Sequence, residues 1–221
     1  MKVLGVNGSP RKGWNTATLL KHALEGAESV GAEVELVHLR DVDFKGCSSC
    51  FACKRKGNRT CGICAMKDGL APVLERALES DVLLLGSPIY LGEVTGAMRS
   101  FLERLVFPSV SYGEAIAPGL PGRPHALASG FVYAMGMPHD LVEQVGYGAV
   151  FQNNKQLLER LGGPSEYVVS ADNYQFDDYG KYEASNFDEA HKARVRAERF
   201  PEECRAASDM AARLCALVAG E

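Results

Sequence analysis

Apolar and polar positions change period at regular intervals along this chain. Lys2–Asn7 is a short aliphatic, β-branched run stopped by Gly8, Ser9 and Pro10, and it predicts a strand. Over 15–28, Leu19, Leu20, Ala23, Leu24 and Ala27 share one face at helical spacing. Residues 32–39 alternate as a second strand, Val34, Leu36 and His38 against Glu33, Glu35 and Val37. After a cysteine-rich loop over 45–67, Asp68 is the expected N-cap of a second helix. That helix buries Leu70, Val73, Leu74, Ala77 and Leu78. Residues 81–86 are apolar nearly throughout, as in a strand covered on both faces. Met98, Phe101, Leu102, Leu105 and Val106 mark a third helix, and the proline- and glycine-rich 107–124 reads as a loop. A fourth strand is expected over 126–133 and a fifth over 166–171. Between them, 139–161 is expected to be helical with interruptions at Gly146 and Gly148. The tail, 186–219, is helical with a break near Pro201.

This alternation implies an α/β fold: a doubly wound, five-stranded parallel sheet with helices on both faces. The flavodoxin-like strand order 2-1-3-4-5 would place a ligand outside the carboxyl ends of strands 1 and 3. Those ends meet the loops near 8–17 and 87–95. With 221 residues, no internal repeat and no evident linker, one domain over 1–221 is expected.

Composition narrows the function. The chain is 46% hydrophobic and 24% charged with a net charge of −4, so it makes no electrostatic case for nucleic acid or an anionic membrane. Lys54, Arg55, Lys56, Arg59 and Lys67 make only a local basic loop. The N-terminus has no secretory pattern and no apolar run suits a bilayer span, so a cytoplasmic protein is expected.

The loop from Gly8 to Thr16 is the first candidate site. It opens a helix whose first N–H groups lack intrahelical acceptors and face an anion with partial positive charge. Ser9, Asn15 and Thr16 add short polar groups, and Arg11 adds a charged fork. Neither the Walker pattern nor G-x-G-x-x-G is present, which disfavours a nucleoside triphosphate or a dinucleotide pyrophosphate. Gly8-Ser9-Pro10-Arg11 with Asn15-Thr16, together with Gly86-Ser87-Pro88-Ile89-Tyr90-Leu91-Gly92, resembles the two flavin loops of the NAD(P)H-dependent FMN reductases and iron–sulfur flavoproteins. The resemblance is clear over roughly 1–107. It implies FMN as cofactor, with contacts from Ser9, Arg11, Asn15, Thr16 and Ala17 at the phosphate. Contacts to the flavin ring are implied from Pro88, Ile89, Tyr90, Leu91 and Gly92. By position, Tyr133 and Met135 after the fourth strand join this set. The resemblance further implies NAD(P)H as electron donor, an unidentified acceptor, and a homodimer or homotetramer. Loops 108–124 and 173–183 are the expected contact surfaces. A non-catalytic flavin-binding electron carrier or regulatory partner is the alternative.

Cys47, Cys50, Cys53, Cys61 and Cys64 follow C-x2-C-x2-C-x7-C-x2-C. Three readings stay open: a [4Fe–4S] cluster on four of these thiols, a structural zinc on the two C-x2-C pairs, or no metal. The iron–sulfur flavoproteins have a similar cysteine loop, in which Cys64 best matches the position of the last ligand, although Cys61 has the better gap. Cys204 and Cys215 share a helical face with Ala207, Ala211, Leu214 and Val218, as core thiols would. The aromatic and acidic stretch 173–182 should emerge at the same sheet edge as the flavin loops. It is expected there as a substrate opening, a subunit contact or a surface loop.

Overall fold

The computed structural model describes residues 1–56, 63–112 and 126–220. The chain runs β1 (Lys2–Asn7), α1 (Asn15–Ser29), β2 (Glu33–His38), α2 (Ala71–Glu79), β3 (Val82–Tyr90), β4 (Glu93–Val94) and α3 (Gly96–Val106). It continues with β5 (Leu127–Ala134), α4 (His139–Gln144), α5 (Tyr147–Glu159), β6 (Gly162–Ser170), α6 (Glu189–Glu198) and α7 (Phe200–Ala219). The parallel strands lie in the order β2-β1-β3-β5-β6, and the two-residue β4 pairs antiparallel with the end of β3. Without that hairpin strand the order is the expected 2-1-3-4-5, so the fold is flavodoxin-like.

Each sheet face has its own core. One packs Leu83, Leu85, Phe131 and Tyr133 under Leu74, Met98, Phe101, Leu102 and Phe151 from α2, α3 and α5. The other packs Val82, Leu84 and Val132 under Leu20 and Leu24 of α1 and Met210, Leu214 and Cys215 of α7. Burying such a side chain contributes roughly 1.5–3 kcal/mol, so the central strands, apolar on both faces, lock the register. Cys204 and Cys215 are core thiols, as their helical spacing implies.

Four local expectations change. Asp68 does not cap α2: the helix starts at Ala71 behind Leu70, and Asp68 Oδ1 instead accepts from the Leu70 N–H at 3.1 Å. The segment Gly86–Tyr90 is not a loop but the end of β3, because β4 folds back to pair with it. Only Gly146 breaks the helical stretch after β5. It sits at φ +80°, whereas Gly148 lies inside α5. The last strand starts at Gly162, four residues early, because its amino end pairs with Leu127 across a register shift. β6 is an edge strand, where Pro164 is tolerated. Among the described residues no helix is long and apolar enough to cross a membrane.

Candidate functional site

A cleft of about 480 Å³ opens at the carboxyl ends of β1, β3 and β5. Four chain segments wall it: Ser9–Thr16, Pro88–Leu91, Ala134–Gly136 and Asn173–Gln175.

The first wall is held from below. Gly8 N–H donates to the Gly86 carbonyl at 2.8 Å, and a Cβ on Gly8 would stand 2.8 Å from Met98 Cβ, so only glycine fits this approach. Asn7 Oδ1 accepts from the Ser9 N–H at 2.9 Å, and Ser9 Oγ accepts from the Arg11 N–H at 3.1 Å. α1 begins behind Trp14, with no side chain capping it and no acidic residue in its first turn. Its open N–H groups and the positive end of its dipole therefore face the cleft without local competition. Ser9, Asn15 and Thr16 are buried on this wall, and the Arg11 guanidinium lies over the Trp14 ring at 5.2 Å. Ala17 lies in the first turn of α1, off the wall, where only its backbone N–H could serve.

The second wall is the β3–β4 hairpin. Leu91 and Gly92 carry φ of +51° and +85°, the paired left-handed residues of a tight hairpin turn. Leu91 is fully exposed at the tip, and Gly92 turns away from the cleft toward Tyr147. Thr95 ties the two walls together. Its Oγ1 donates to the Gly8 carbonyl at 2.8 Å and accepts the Met98 N–H at 3.2 Å as the N-cap of α3, while its own N–H donates to Ser87 Oγ at 3.0 Å. Sequence reasoning did not single out Thr95; the threonine ahead of the helical run 96–106 was the available N-cap signal.

On the third wall Met135 reaches the cleft and Tyr133 does not. Tyr133 faces the opposite side of the sheet, stacked on Phe131 at 4.2 Å and packed on Phe151 at 4.6 Å. Its hydroxyl is buried beside Asn154 Nδ2, and the two make no hydrogen bond of good geometry. Burial pushes the phenol far above its ordinary range. Alternation along a strand puts Tyr133 in the core; beyond the strand end Met135 and Gly136 turn toward the cleft.

The fourth wall is a strap from the end of β6. Trp14 Nε1 and Asn15 Nδ2 both donate to the Tyr174 carbonyl, at 3.3 and 2.9 Å, and Arg11 Nη1 donates to the Gln175 carbonyl at 2.8 Å. The Asn15 side chain is thus engaged by the strap.

The cysteine loop hangs from α3. The buried Arg104 guanidinium donates to Cys64 Sγ at 3.3 Å, Asp68 Oδ2 at 2.6 Å and the carbonyls of Lys45 and Met66. Arg104 in turn holds the Asp68 carboxyl below its usual range. Cys47 and Cys50 are exposed, whereas burial pushes the Cys53 thiol up. The Cys50 thiol is lowered, chiefly by the Ala52 backbone N–H. Cys61 lies outside the described residues. Among those described, no group of three or more His, Cys, Asp or Glu side chains is placed to hold a metal ion.

Comparisons agree with this architecture. An iron-sulfur flavoprotein of Archaeoglobus fulgidus is 34% identical over 156 residues, covering 65% of this chain and 74% of that one. An iron-sulfur flavoprotein of Methanocaldococcus jannaschii is 35% identical over 104 residues, 47% of this chain and 51% of its own, so the match spans about half of that relative. The solved structure of an NAD(P)H:quinone oxidoreductase from Methanothermobacter marburgensis superimposes with a TM-score of 0.66 at 14% identity, over 97% of this chain and 98% of that one. The family profile described as NADPH-dependent FMN reductase matches residues 1–138, the stretch that carries three of the four cleft walls. The chain belongs to the NADPH-dependent FMN reductase family and is an FMN-dependent oxidoreductase of flavodoxin-like fold.

Proposed function

We propose that the cleft holds FMN and that the protein uses it to pass electrons from NAD(P)H to a small-molecule or protein acceptor. The observation that carries this reading is the uncapped start of α1 on one wall of a cleft bordered by the β3–β4 hairpin. That wall offers a monophosphate backbone N–H groups, the hydroxyls of Ser9 and Thr16, and the remaining donors of Arg11. The cleft volume lies in the usual range for small-ligand sites. Pro88, Ile89, Tyr90, Leu91 and Met135 form an apolar border suited to a flat ring, with backbone groups of the hairpin available at its polar edge. Gly92 and Ala17 would contribute backbone only, and Tyr133 would act by supporting the wall from the core.

Bound FMN supplies the redox chemistry, taking two electrons from the nicotinamide and releasing them in pairs or singly. The chain's part is to orient the ring, to keep water from its buried edge, and to stabilise negative charge there with fixed N–H dipoles. A homo-oligomer and a cytoplasmic setting belong to the same proposal. The exposed Tyr90 and Leu91 beside the cleft offer apolar contact surface, and sedimentation at micromolar concentration tests for the oligomer.

The relatives' names carry a second reading, an iron–sulfur cluster on the cysteine loop. The described thiols as placed do not fit one, since they do not gather as a ligand set, and no step is derived through a cluster. Anaerobic reconstitution tests it directly. About four irons and four sulfides per chain, lost in Cys50→Ser, would establish the cluster; stoichiometric zinc or no uptake would remove it.

Steady-state oxidation of NADH and NADPH by the flavin-loaded protein, with a quinone or ferricyanide as acceptor, tests the main reading. Turnover supports the oxidoreductase. FMN binding without turnover would leave a flavin-binding carrier in its place.

A further inference from the structure

The strap over the phosphate end of the cleft is fastened at both sides. Asp172 leaves β6 in a left-handed conformation, φ +59°, held by Lys192 Nζ at 2.7 Å and His191 Nε2 at 2.5 Å. Asn173 anchors by Nδ2 to Ser170 and to the Met135 carbonyl. Tyr179 then backs the strap, its hydroxyl accepting the Gln175 N–H at 2.9 Å and its ring packed on Tyr174, Phe176 and Phe187. From α6, Arg196 Nη1 donates to Asn15 Oδ1 at 2.8 Å, with its guanidinium over the Phe200 ring at 3.9 Å. Arg196 has no carboxylate partner among the described residues. Asn15 is therefore oriented from behind, which aims its Nδ2 at the Tyr174 carbonyl.

We propose that this strap, fastened to the phosphate loop through Trp14, Asn15 and Arg11 and oriented by Arg196, closes the end of the cleft so that it accepts a flavin monophosphate and rejects a flavin extended by a phosphodiester. The inference rests on the cleft being the flavin site. A terminal phosphate finds its donors on the α1 side of the loop. On the far side stand the Tyr174 and Gln175 carbonyls, acceptors that offer an anion nothing; the first takes two of the loop donors and the second takes one. A dinucleotide would have to leave through that line and break the fastening bonds, each worth about tenfold in affinity. Arg196 is a positioning residue, acting through Asn15.

The test is titration of flavin-stripped protein with FMN and with FAD, read by quenching of flavin fluorescence. Wild type should favour FMN. Arg196→Met keeps the stem over Phe200 and removes the donor. It should cut the FAD-to-FMN ratio of Kd values by about tenfold while FMN affinity moves by less than about threefold, and Arg196→Lys should restore the ratio in part. Trp14→Phe removes the Nε1 donor while keeping an aromatic ring beside Arg11, should shift the ratio the same way, and carries the test should Arg196→Met not fold. An unchanged ratio in a variant that melts cooperatively would overturn the strap's role. Equal wild-type affinity for FMN and FAD would overturn the strap alone, whereas failure to bind either flavin would overturn the reading of the cleft with it.

Discussion

Arg104 Nε donates to Cys64 Sγ at 3.3 Å from a side chain with no solvent exposure, so the cysteine loop is held by a cation buried on α3. The same guanidinium pairs with Asp68 and covers two loop carbonyls. Arg104→Met keeps the volume and leaves these acceptors unpaired. Breaking a buried pair costs about 3–5 kcal/mol, and Asp68 retains some water, so a loss near the lower figure is expected in urea unfolding. Cys64 should also react faster with a thiol reagent in this variant.

Thr95 joins two cleft walls with one hydroxyl. Thr95→Val preserves shape and removes both the α3 cap and the bond to the Gly8 carbonyl. Loss of a cap costs about 1 kcal/mol, and the added bond brings the expected destabilisation to about 2 kcal/mol. Flavin affinity should weaken as well, because the Gly8 turn sets the first wall of the cleft. Calorimetric melting and FMN titration check the two effects separately.

His38 should make the loop from Gly8 to Thr16 sensitive to acid. Asn7 Oδ1 accepts the Ser9 N–H, so Asn7 must present its amide hydrogens to His38 Nδ1, 3.0 Å away, and that nitrogen must be unprotonated. Burial first, and then Lys12, lowers the His38 pKa below 6.5, with Asp41 opposing. A lowered folded-state pKa means stability that is present above 6.5 and lost as pH falls through the folded value. Thermal stability and FMN affinity should both decline as pH falls below 6.5. His38→Asn, whose Oδ1 accepts the same bond without titrating, should flatten that part of the profile; an unchanged profile would disprove the link.

Tyr133 supplies a contrast between core and cleft. Its buried hydroxyl has only Asn154 beside it and no hydrogen bond of good geometry, so Tyr133→Phe should change stability by no more than about 1 kcal/mol. FMN affinity should not change. A large loss of flavin binding would mean that Tyr133 reaches the ligand.

Much of the site was legible because its first parts are contiguous. Gly8 to Thr16 is a strand end, a turn and a helix start, and the apolar strand before it and the helical period after it fix what each must be. The same local logic correctly set the alternation of strands and helices and the burial of Cys204 and Cys215. Position alone grouped Tyr133 with the ligand loops, but it lies inside β5, where the period of two turns it into the core beside Phe131, and only past the strand end does Met135 reach the cleft. Sequence reasoning missed the hairpin after Tyr90, whose left-handed Leu91 breaks the usual preference for glycine or asparagine at such a position.

The chain's own order of residues determined the alternating fold, the anion-receptive start of α1 and the family to which those loops belong, because each depends on neighbours a few positions apart. The tertiary structure alone decided that Thr95 reaches Gly8, that Arg104 holds Cys64, and that the strap and Arg196 close over Asn15. Those contacts join residues 87, 40 and 181 positions apart. No sequence period encodes such pairs; they exist because parallel crossovers lay helices such as α3 against the sheet and bring every strand's carboxyl end, with the loops that follow, to one edge.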